Sequence, residues 1–332
     1  MEDVVNASLG ASEPTIKITK RTDRSIYMFT LEHCLKPFGA QTSKPKKQYP
    51  VGSSHISASK KARSRCNVHE RNVEDIYVYD LTAKSAVSGK GESEQKKRIY
   101  YFGGGSWQMP PSDEHWSTAA ELANKIPNTT VSVVSPPLAP LSPAPIAFPH
   151  LLRFYKRVML DAETAGERVI FAGDSSGGNI VLCLTMAALA ESENARCPTA
   201  VMAICPTADL REDNPEMEKI EKHDPVLTRP SSAEYAKKWR GEWSAEDPRV
   251  NPMTADVTLF AKRGVKVHGV VGGYDILSPD GKLFRDKCAA AGVSGEWLEW
   301  DKQMHCFPMA WGYGIPESVA GKDWMVDVLR RC

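Results

Sequence analysis

The segment RVIFAGDSSGGNIVLCLTMAALA, residues 168–190, most constrains what this chain can fold into. Its apolar start predicts a buried strand over 168–173, and its Ala- and Leu-rich end predicts a helix over 177–190. Only the turn GDSSG separates the two, and Gly173 and Gly177 keep bulky side chains out of that turn. A strand that runs directly into a helix is the repeating unit of a parallel sheet covered by helices.

The same alternation continues on both sides of this segment. Short apolar runs predict further strands at 73–81, 98–102, 130–135, 200–205, 265–272 and 296–300. Helical spacing predicts helices at 26–38, 115–126, 177–190, 231–243 and 316–330. We therefore expect an α/β fold with a largely parallel sheet and helices on both faces. The interval at about 206–264 is too long for one crossover, so its centre is interpreted as a helical insertion.

Composition excludes several classes of function. The chain has 332 residues, 42% of them hydrophobic, and a formal net charge of +1, so no nucleic acid or other strongly charged partner is expected. The longest apolar run, about 180–190, is too short to span a bilayer, and the polar amino terminus lacks a signal-peptide core. We expect a cytoplasmic protein without a membrane partner, and the sequence leaves a homodimer open.

The cysteines point to the same compartment. Eight are scattered along the chain without a CxxC pair, which is typical of reduced thiols in the cytosol and not of a disulfide framework or a zinc site. The neighbouring pairs His33 with Cys34 and Cys66 with His69 lack metal-ligand spacing. We expect no metal and no cofactor.

The amino-terminal part differs from the rest of the chain in its amino-acid composition. Residues 33–69 contain eight Lys or Arg and no acidic residue. This predicts a solvated, mobile surface arm, with a nuclear-localisation or anion-binding patch as the alternative. Residues 1–70 are accordingly separated from a catalytic domain over 71–332.

The GDSSG turn is also the candidate for chemistry. A serine on a tight strand-to-helix turn projects its hydroxyl above the sheet, with the amino terminus of the helix beneath it. The helix dipole favours negative charge that develops there. Ser175 is therefore the predicted nucleophile; a glycine-rich connection without chemical function is the alternative. No Gly-Lys-Ser/Thr or GxGxxG pattern supports a phosphate-binding loop instead.

A serine hydroxyl needs a base and an acid that orients the base. In folds with this elbow the order along the chain is serine, acid, histidine. His305, directly after the strand EWLEW, is the histidine with that placement, and an ordinary loop histidine is the alternative. Asp275 follows the strand before it, whereas Asp280 is interpreted as a turn residue.

The oxyanion of an acyl-transfer reaction needs preorganised N–H donors. The segment YFGGGSW, residues 101–107, follows a predicted strand and has three glycines in a row. The predicted donors are the amides of Gly104, Gly105 and Ser176. Four aromatic residues are candidates to line an apolar substrate pocket, with ordinary core packing as the alternative: Phe102, Trp107, Trp239 and Trp243.

Together these motifs resemble the hormone-sensitive-lipase-like family of α/β-hydrolases, which includes many microbial and fungal esterases. The resemblance covers about residues 73–330 and rests on FGGGSW, SPPLAPLSPAP, GDSSGGN, DPRVNPM, GGYDIL and MHCF. It implies an α/β-hydrolase fold with an eight-stranded, mostly parallel sheet and a helical cap, formed by residues 1–70 and an insertion at about 206–245. It also implies a triad of Ser175, Asp275 and His305.

Two features depart from the family pattern. Phe102 stands where the family has the histidine of His-Gly-Gly-Gly, and Ser135-Pro-Pro-Leu-Ala-Pro140 replaces the usual Tyr-Arg-Leu-Ala-Pro. The leading hypothesis is a serine hydrolase that cleaves a carboxylic ester, such as an acetyl ester, of a small hydrophobic molecule. A biosynthetic amidase, acyltransferase, cyclase or lyase acting on a secondary metabolite is the alternative. A ligand-binding receptor is the third reading, disfavoured because His305 is present.

Overall fold

A computed structural model describes residues 15–42, 44–85 and 95–332 of the chain. Nine strands join in a single sheet in the order β1-β9-β8-β7-β6-β4-β5-β3-β2. The strands are β1 (Ile16–Arg21), β2 (Cys66–Val73), β3 (Ile76–Ala83), β4 (Lys97–Phe102), β5 (Thr129–Ser135), β6 (Arg168–Asp174), β7 (Ala200–Ile204), β8 (Lys266–Tyr274) and β9 (Gly295–Met304). Only β3 pairs in antiparallel fashion, with β2 and with β5.

Eleven α-helices connect or flank these strands within the described residues. They are α1 (Ile26–Leu35), α2 (Gly39–Thr42), α3 (Lys60–Arg65), α4 (Asp113–Lys125), α5 (Ala144–Ala165), α6 (Ser176–Glu191), α7 (Glu216–Glu221), α8 (Arg229–Arg240), α9 (Thr258–Lys262), α10 (Ser278–Ala290) and α11 (Pro316–Arg331). Two 3₁₀ segments, Lys36–Phe38 and Phe307–Tyr313, complete the set. None of these helices is both long enough and apolar enough to cross a bilayer.

The sheet separates two apolar cores, one on each face. Alternation along β4 shows the division, because Tyr100 and Phe102 belong to the core beneath α5 and α6, whereas Ile99 and Tyr101 belong to the core beneath α4 and α11. Strands buried on both faces have near-continuous apolar sequences, which is why the sequence predicts the central strands so directly.

The sheet has nine strands where the family resemblance implies eight. The additional strand is β1, from the segment expected to belong to the cap, and it pairs in parallel with β9 at the edge of the sheet. Only Ile16 of its six residues is buried, so IKITKR has too few apolar positions to be predicted as a strand. Residues 1–14 of the same expected segment lie outside the described residues.

The surface-arm prediction for residues 33–69 also needs correction. The cluster KKARSR forms α3, which begins after the capping Ser59 and buries Ala62. The Arg65 guanidinium donates to Glu121 of α4 at 2.5 Å, and the chain then enters β2 at Cys66. The Arg65 charge therefore fixes the short helix against α4, which local charge patterning could not indicate.

The long interval after β7 contains the expected insertion. Its helices are α7 and α8, and α8 covers most of the helix predicted over 231–243. Thr228 caps α8 and Gly241 ends it, so the helix begins and ends slightly earlier than the apolar spacing suggested.

Candidate active site

The parallel strands direct their carboxyl ends to one edge of the sheet. The loop that begins with three glycines at 103–105, here called the glycine loop, follows β4 there, and Ser175 follows β6. Residues after β7, β8 and β9 meet at the same edge, and they include Cys205, Asp275 and His305. Ligands of open parallel sheets bind outside the carboxyl ends of the strands, so the topology gathers these groups at a favourable place.

Ser175 occupies a strained turn between β6 and α6. Its backbone has φ 54° and ψ −121°, a conformation that non-glycine residues rarely adopt. A side chain on Gly177 would lie 2.0 Å from the Phe102 carbonyl oxygen, and one on Gly173 would lie 2.5 Å from the backbone of Gly177. The two glycines of the motif are therefore required for close backbone approach, as the sequence predicts.

His305 and Asp275 form a direct pair behind this turn. His305 Nδ1 lies 2.8 Å from Asp275 Oδ2, and both side chains are buried. The other oxygen, Asp275 Oδ1, accepts a hydrogen bond from the Leu277 amide at 2.9 Å. The carboxylate is thus fixed from both sides and holds the imidazole with its proton on Nδ1, which leaves Nε2 as the proton acceptor.

Burial by itself lowers the pKa of His305. The charge of Asp275 and the hydrogen bond between them outweigh burial and raise this pKa to about 9. The hydrogen bonds of the described residues do not include one between Ser175 Oγ and His305 Nε2; Nε2 instead lies 3.5 Å from Cys306 Sγ. Such hydrogen bonds are often long before substrate binds and shorten in the reacting complex.

The glycine loop is attached to the sheet through Asp174, the residue before Ser175. Its Oδ1 accepts from the Tyr101 hydroxyl at 2.7 Å and from the Gly104 amide at 3.2 Å. Its Oδ2 lies 3.0 Å from His115 Nε2. Burial raises the pKa of Asp174, but His115 and these hydrogen bonds outweigh burial and hold the pKa below its usual value.

His115 links this carboxylate to the start of α4. The Ser112 amide donates to His115 Nδ1 at 2.8 Å, so Nδ1 carries no proton and Nε2 is the donor to Asp174. The His115 ring also packs against Gly103, where a Cβ would lie 3.2 Å from it. A histidine therefore does support the glycine loop, although it comes from α4 and not from position 102.

The predicted oxyanion donors have different surroundings. Gly104 and Gly105 line the same cavity as Ser175, but the Gly104 amide already donates to Asp174. The Ser176 amide belongs to the first turn of α6, where N–H groups have no partner within the helix.

A third carboxylate, Asp224, lies near the pair formed by His305 and Asp275. Asp224, in the insertion between β7 and β8, accepts hydrogen bonds from the amides of Val226, Leu227 and Ile276 at 2.8 to 2.9 Å. Burial and the nearby charge of Asp275 raise the pKa of Asp224 to about 7. Asp224 therefore connects the insertion to the loop that carries Asp275.

A cavity of about 320 Å³ opens above Ser175 and His305. Apolar side chains form much of its wall, among them Met109, Met304 and Met309. Leu35 contributes from the amino-terminal segment and Leu227 from the insertion, so both segments expected to form the cap reach the cavity. Its size suits one small organic group.

The four aromatic candidates for substrate binding do not line this cavity. Phe102 lies among the buried residues of the α5–α6 core. Trp107 and Trp239 stack on each other with ring centroids 5.8 Å apart, and both are buried. Trp243 packs against Phe148 and beneath the Arg249 guanidinium. Core packing accounts for Phe102, Trp107 and Trp239, which are buried, whereas Trp243 is half-buried against the core.

Sequence reasoning did not single out several residues of the site. Asp174 stands inside the GDSSG motif and His115 near the start of a predicted helix, so proximity to motifs was the available signal. Cys306 likewise stands beside His305 in MHCF, whereas Asp224 and Cys205 offered no signal, because their partners are distant in sequence. Among the described residues, Cys205, His305 and Cys306 are the group whose side chains are placed to hold a metal ion.

Comparison with known proteins identifies the relatives of this chain. Residues 99–309 match the family described as alpha/beta hydrolase fold. An esterase of Acinetobacter venetianus is 25% identical over 242 residues, which are 72% of this chain and 75% of that protein. Esterase LipU of Mycobacterium tuberculosis is 26% identical over 242 residues, 71% of this chain and 78% of that protein. Human hormone-sensitive lipase is 32% identical over 133 residues, 39% of this chain and 12% of the lipase.

Solved structures share the fold. A hormone-sensitive lipase from a metagenome library superposes with a TM-score of 0.72 at 20% identity, covering 92% of this chain and 98% of that one. An esterase/lipase from an uncultured bacterium gives a TM-score of 0.71 at 20% identity over 93% of this chain and 98% of that one. This chain therefore belongs to the hormone-sensitive-lipase-like family of α/β-hydrolases and is a carboxylesterase-like enzyme.

Proposed function

We propose that this chain hydrolyses carboxylic esters of small hydrophobic molecules, acetyl esters among them, with Ser175 as nucleophile, His305 as base and Asp275 as the orienting acid. The observation that carries the proposal is the 2.8 Å pair of His305 Nδ1 and Asp275 Oδ2 beside a cavity that Ser175 also lines. This pairing leaves Nε2 free to accept a proton at the cavity.

In the first half-reaction Ser175 Oγ attacks the ester carbonyl while His305 Nε2 takes the hydroxyl proton. The carbonyl oxygen becomes an oxyanion, which the amides of Gly105 and Ser176 stabilise. The Gly104 amide joins them if it leaves Asp174 as charge develops. His305 then donates its proton to the alkoxide, and the alcohol leaves. An acyl group remains on Ser175 Oγ.

The second half-reaction uses the same groups. His305 takes a proton from water, the resulting hydroxide attacks the acyl carbonyl, and Ser175 Oγ leaves with the proton from Nε2. The carboxylic acid product then ionises and departs. The apolar walls of the cavity favour an acyl or alcohol group without charge.

The compartment is part of the proposal. All eight cysteines are unpaired, which supports a reducing environment such as the cytosol. A small-molecule ester is the partner that the cavity fits.

Fluorophosphonate labelling tests the nucleophile. The full chain is treated with the reagent and the adduct is located by tandem mass spectrometry, which separates Ser175 from the adjacent Ser176. We expect one adduct, on Ser175, and none in Ser175→Ala. Turnover of a short-chain aryl ester should fall on the order of a million-fold in that variant.

Ser192→Ala is the matched control, because Ser192 lies exposed at the carboxyl end of the same helix α6. It should label and turn over like the parent chain. No adduct on Ser175, under conditions in which a reference esterase labels fully, would contradict the proposed nucleophile.

A further inference from the structure

Two cysteines flank the proposed catalytic base. Cys205 directly follows β7, and Cys306 directly follows His305 beyond the end of β9. One ligand atom from each of Cys205, His305 and Cys306 lies within 4.8 Å of the other two. All three side chains are buried or half-buried, and His305 and Cys306 both line the cavity above Ser175. The proposed hydrolysis uses neither thiol.

We propose that Cys205, His305 and Cys306 form a binding site for a thiophilic divalent metal ion, with Zn²⁺ as the physiological candidate, and that the bound ion blocks the base. The blocking part rests on the proposed function, whereas the binding part does not. Two sulfurs and one imidazole nitrogen are ligands that Zn²⁺ prefers, and three protein ligands leave a fourth position open.

The distances suit this coordination. Zinc–sulfur bonds are about 2.3 Å and zinc–nitrogen bonds about 2.0–2.1 Å, so tetrahedral geometry separates a sulfur from a nitrogen ligand by about 3.6 Å. The observed separation of Cys306 Sγ and His305 Nε2 is 3.5 Å. Cys205 supplies the third ligand atom, which lies within 4.8 Å of the other two.

The triad pairing prepares the histidine as a ligand. Asp275 holds His305 Nδ1 at 2.8 Å, so Nε2 presents its lone pair to the two sulfurs. Metal-binding histidines commonly donate their second nitrogen to a carboxylate in this way. The arrangement that makes Nε2 a base thus also makes it a metal ligand.

The surroundings favour a cation. Asp174 Oδ2 lies 3.8 Å from Cys306 Sγ, and the Asp275 carboxylate lies directly behind the imidazole. The cavity offers an entry path and room for a water or substrate atom in the fourth position. Both cysteines have a positive φ, 45° at Cys205 and 51° at Cys306, which non-glycine residues rarely adopt.

Binding releases protons and stops proton transfer. Each thiol loses its proton to solvent as it becomes a thiolate ligand, and Nε2 must also be unprotonated to bind, so one ion replaces the two thiol protons and any proton on Nε2. The lone pair of His305 Nε2 is then shared with the metal and cannot accept the Ser175 hydroxyl proton. The ion is therefore an inhibitor, and its removal restores the base.

Cadmium binding tests the site independently of turnover. The reduced, metal-free full chain is titrated with Cd²⁺, and the ultraviolet cadmium–thiolate charge-transfer band is followed. We expect one ion per chain, with the same result in Ser175→Ala. Cys306→Gly should weaken binding by at least about 100-fold, and glycine is compatible with the left-handed backbone there. Cys205→Ala should do the same, and its thermal unfolding midpoint verifies that it folds.

Cys34→Ser is the matched control, since Cys34 is an exposed thiol on α1 and should not affect the band. Zinc inhibition is then measured for each variant relative to its own metal-free activity. At an ion concentration about ten times the dissociation constant, parent activity should fall about tenfold and recover with a chelator. Cys306→Gly should resist that concentration.

The outcomes separate the two proposals. A band that survives in Cys306→Gly overturns the metal site, as does a mass lower by two hydrogen atoms that shows a Cys205–Cys306 disulfide after treatment with reductant. Zinc binding that leaves ester hydrolysis unchanged overturns the blocking role. A cysteine-dependent band in a chain that hydrolyses no ester supports the metal site while contradicting the proposed function.

Discussion

Gly104→Ala should impair catalysis far more than it impairs folding. A Cβ at this position would lie 2.5 Å from Asp174 Oδ2, 3.0 Å from the Asp174 carbonyl oxygen and 3.0 Å from Ser175 Cβ. Ordinary contacts between non-bonded heavy atoms are about 3.5–4.0 Å, so the glycine loop must move by about 1 Å away from Ser175. Added volume in a packed site costs about 1–3 kcal/mol of unfolding free energy.

The kinetic effect follows from that displacement. A misplacement of about 1 Å between reacting groups and their donors can cost about 100-fold in rate. We therefore expect kcat for a short-chain aryl ester to fall about 100-fold in Gly104→Ala, together with slower fluorophosphonate labelling. Both rates are measured at a temperature well below the thermal unfolding midpoint of the variant, which circular dichroism determines separately.

Gly312→Ala is the matched control for this exchange. Apart from its own neighbours in the chain, no atom lies within 4 Å of a Cβ built at Gly312, so the same methyl group enters open space. It should retain parental kcat and KM. If Gly104→Ala is as active as Gly312→Ala, the close approach of the glycine loop to Ser175 does not control the chemistry, and the assignment of this loop is refuted.

Two further predictions concern ionisation and the insertion. The pKa of His305 is raised to about 9, and His305 must be unprotonated to act as the base. Below that pKa, kcat/KM should therefore increase about tenfold for each pH unit. A flat profile from neutral to mildly alkaline pH would contradict this. Asp224→Asn should lower the unfolding free energy by about 1–3 kcal/mol, because one buried amide among those facing Asp224 loses its acceptor. Thermal unfolding checks this against Asp213→Asn, an exposed aspartate of the same insertion, which should be neutral.

Residues next to a motif could be predicted in part. Phe102 stands where the family has the histidine of His-Gly-Gly-Gly. His115 and Asp174 provide support for the loop from α4 and β6 instead. Because the Asp174–His115 contact joins residues 59 apart in sequence, no local pattern could pair them.

The sequence by itself predicted the seven strands β3 to β9 and singled out Ser175, Asp275 and His305 as the candidate triad. It could do so because central parallel strands are continuous apolar runs, and their carboxyl ends share one edge whatever the loops do. Only the tertiary structure decided the edge strands β1 and β2, the partners of Asp174 and Asp224, and the packing of Phe102 and the three tryptophans.

The cysteines show the physical reason most clearly. No sequence motif contains both Cys205 and Cys306, which are 101 positions apart. They meet because β7 and β9 lie on either side of β8 and end at the same edge. Sequence periodicity reports how each segment is buried, whereas contacts between segments depend on strand order and loop path, which are properties of the assembled sheet.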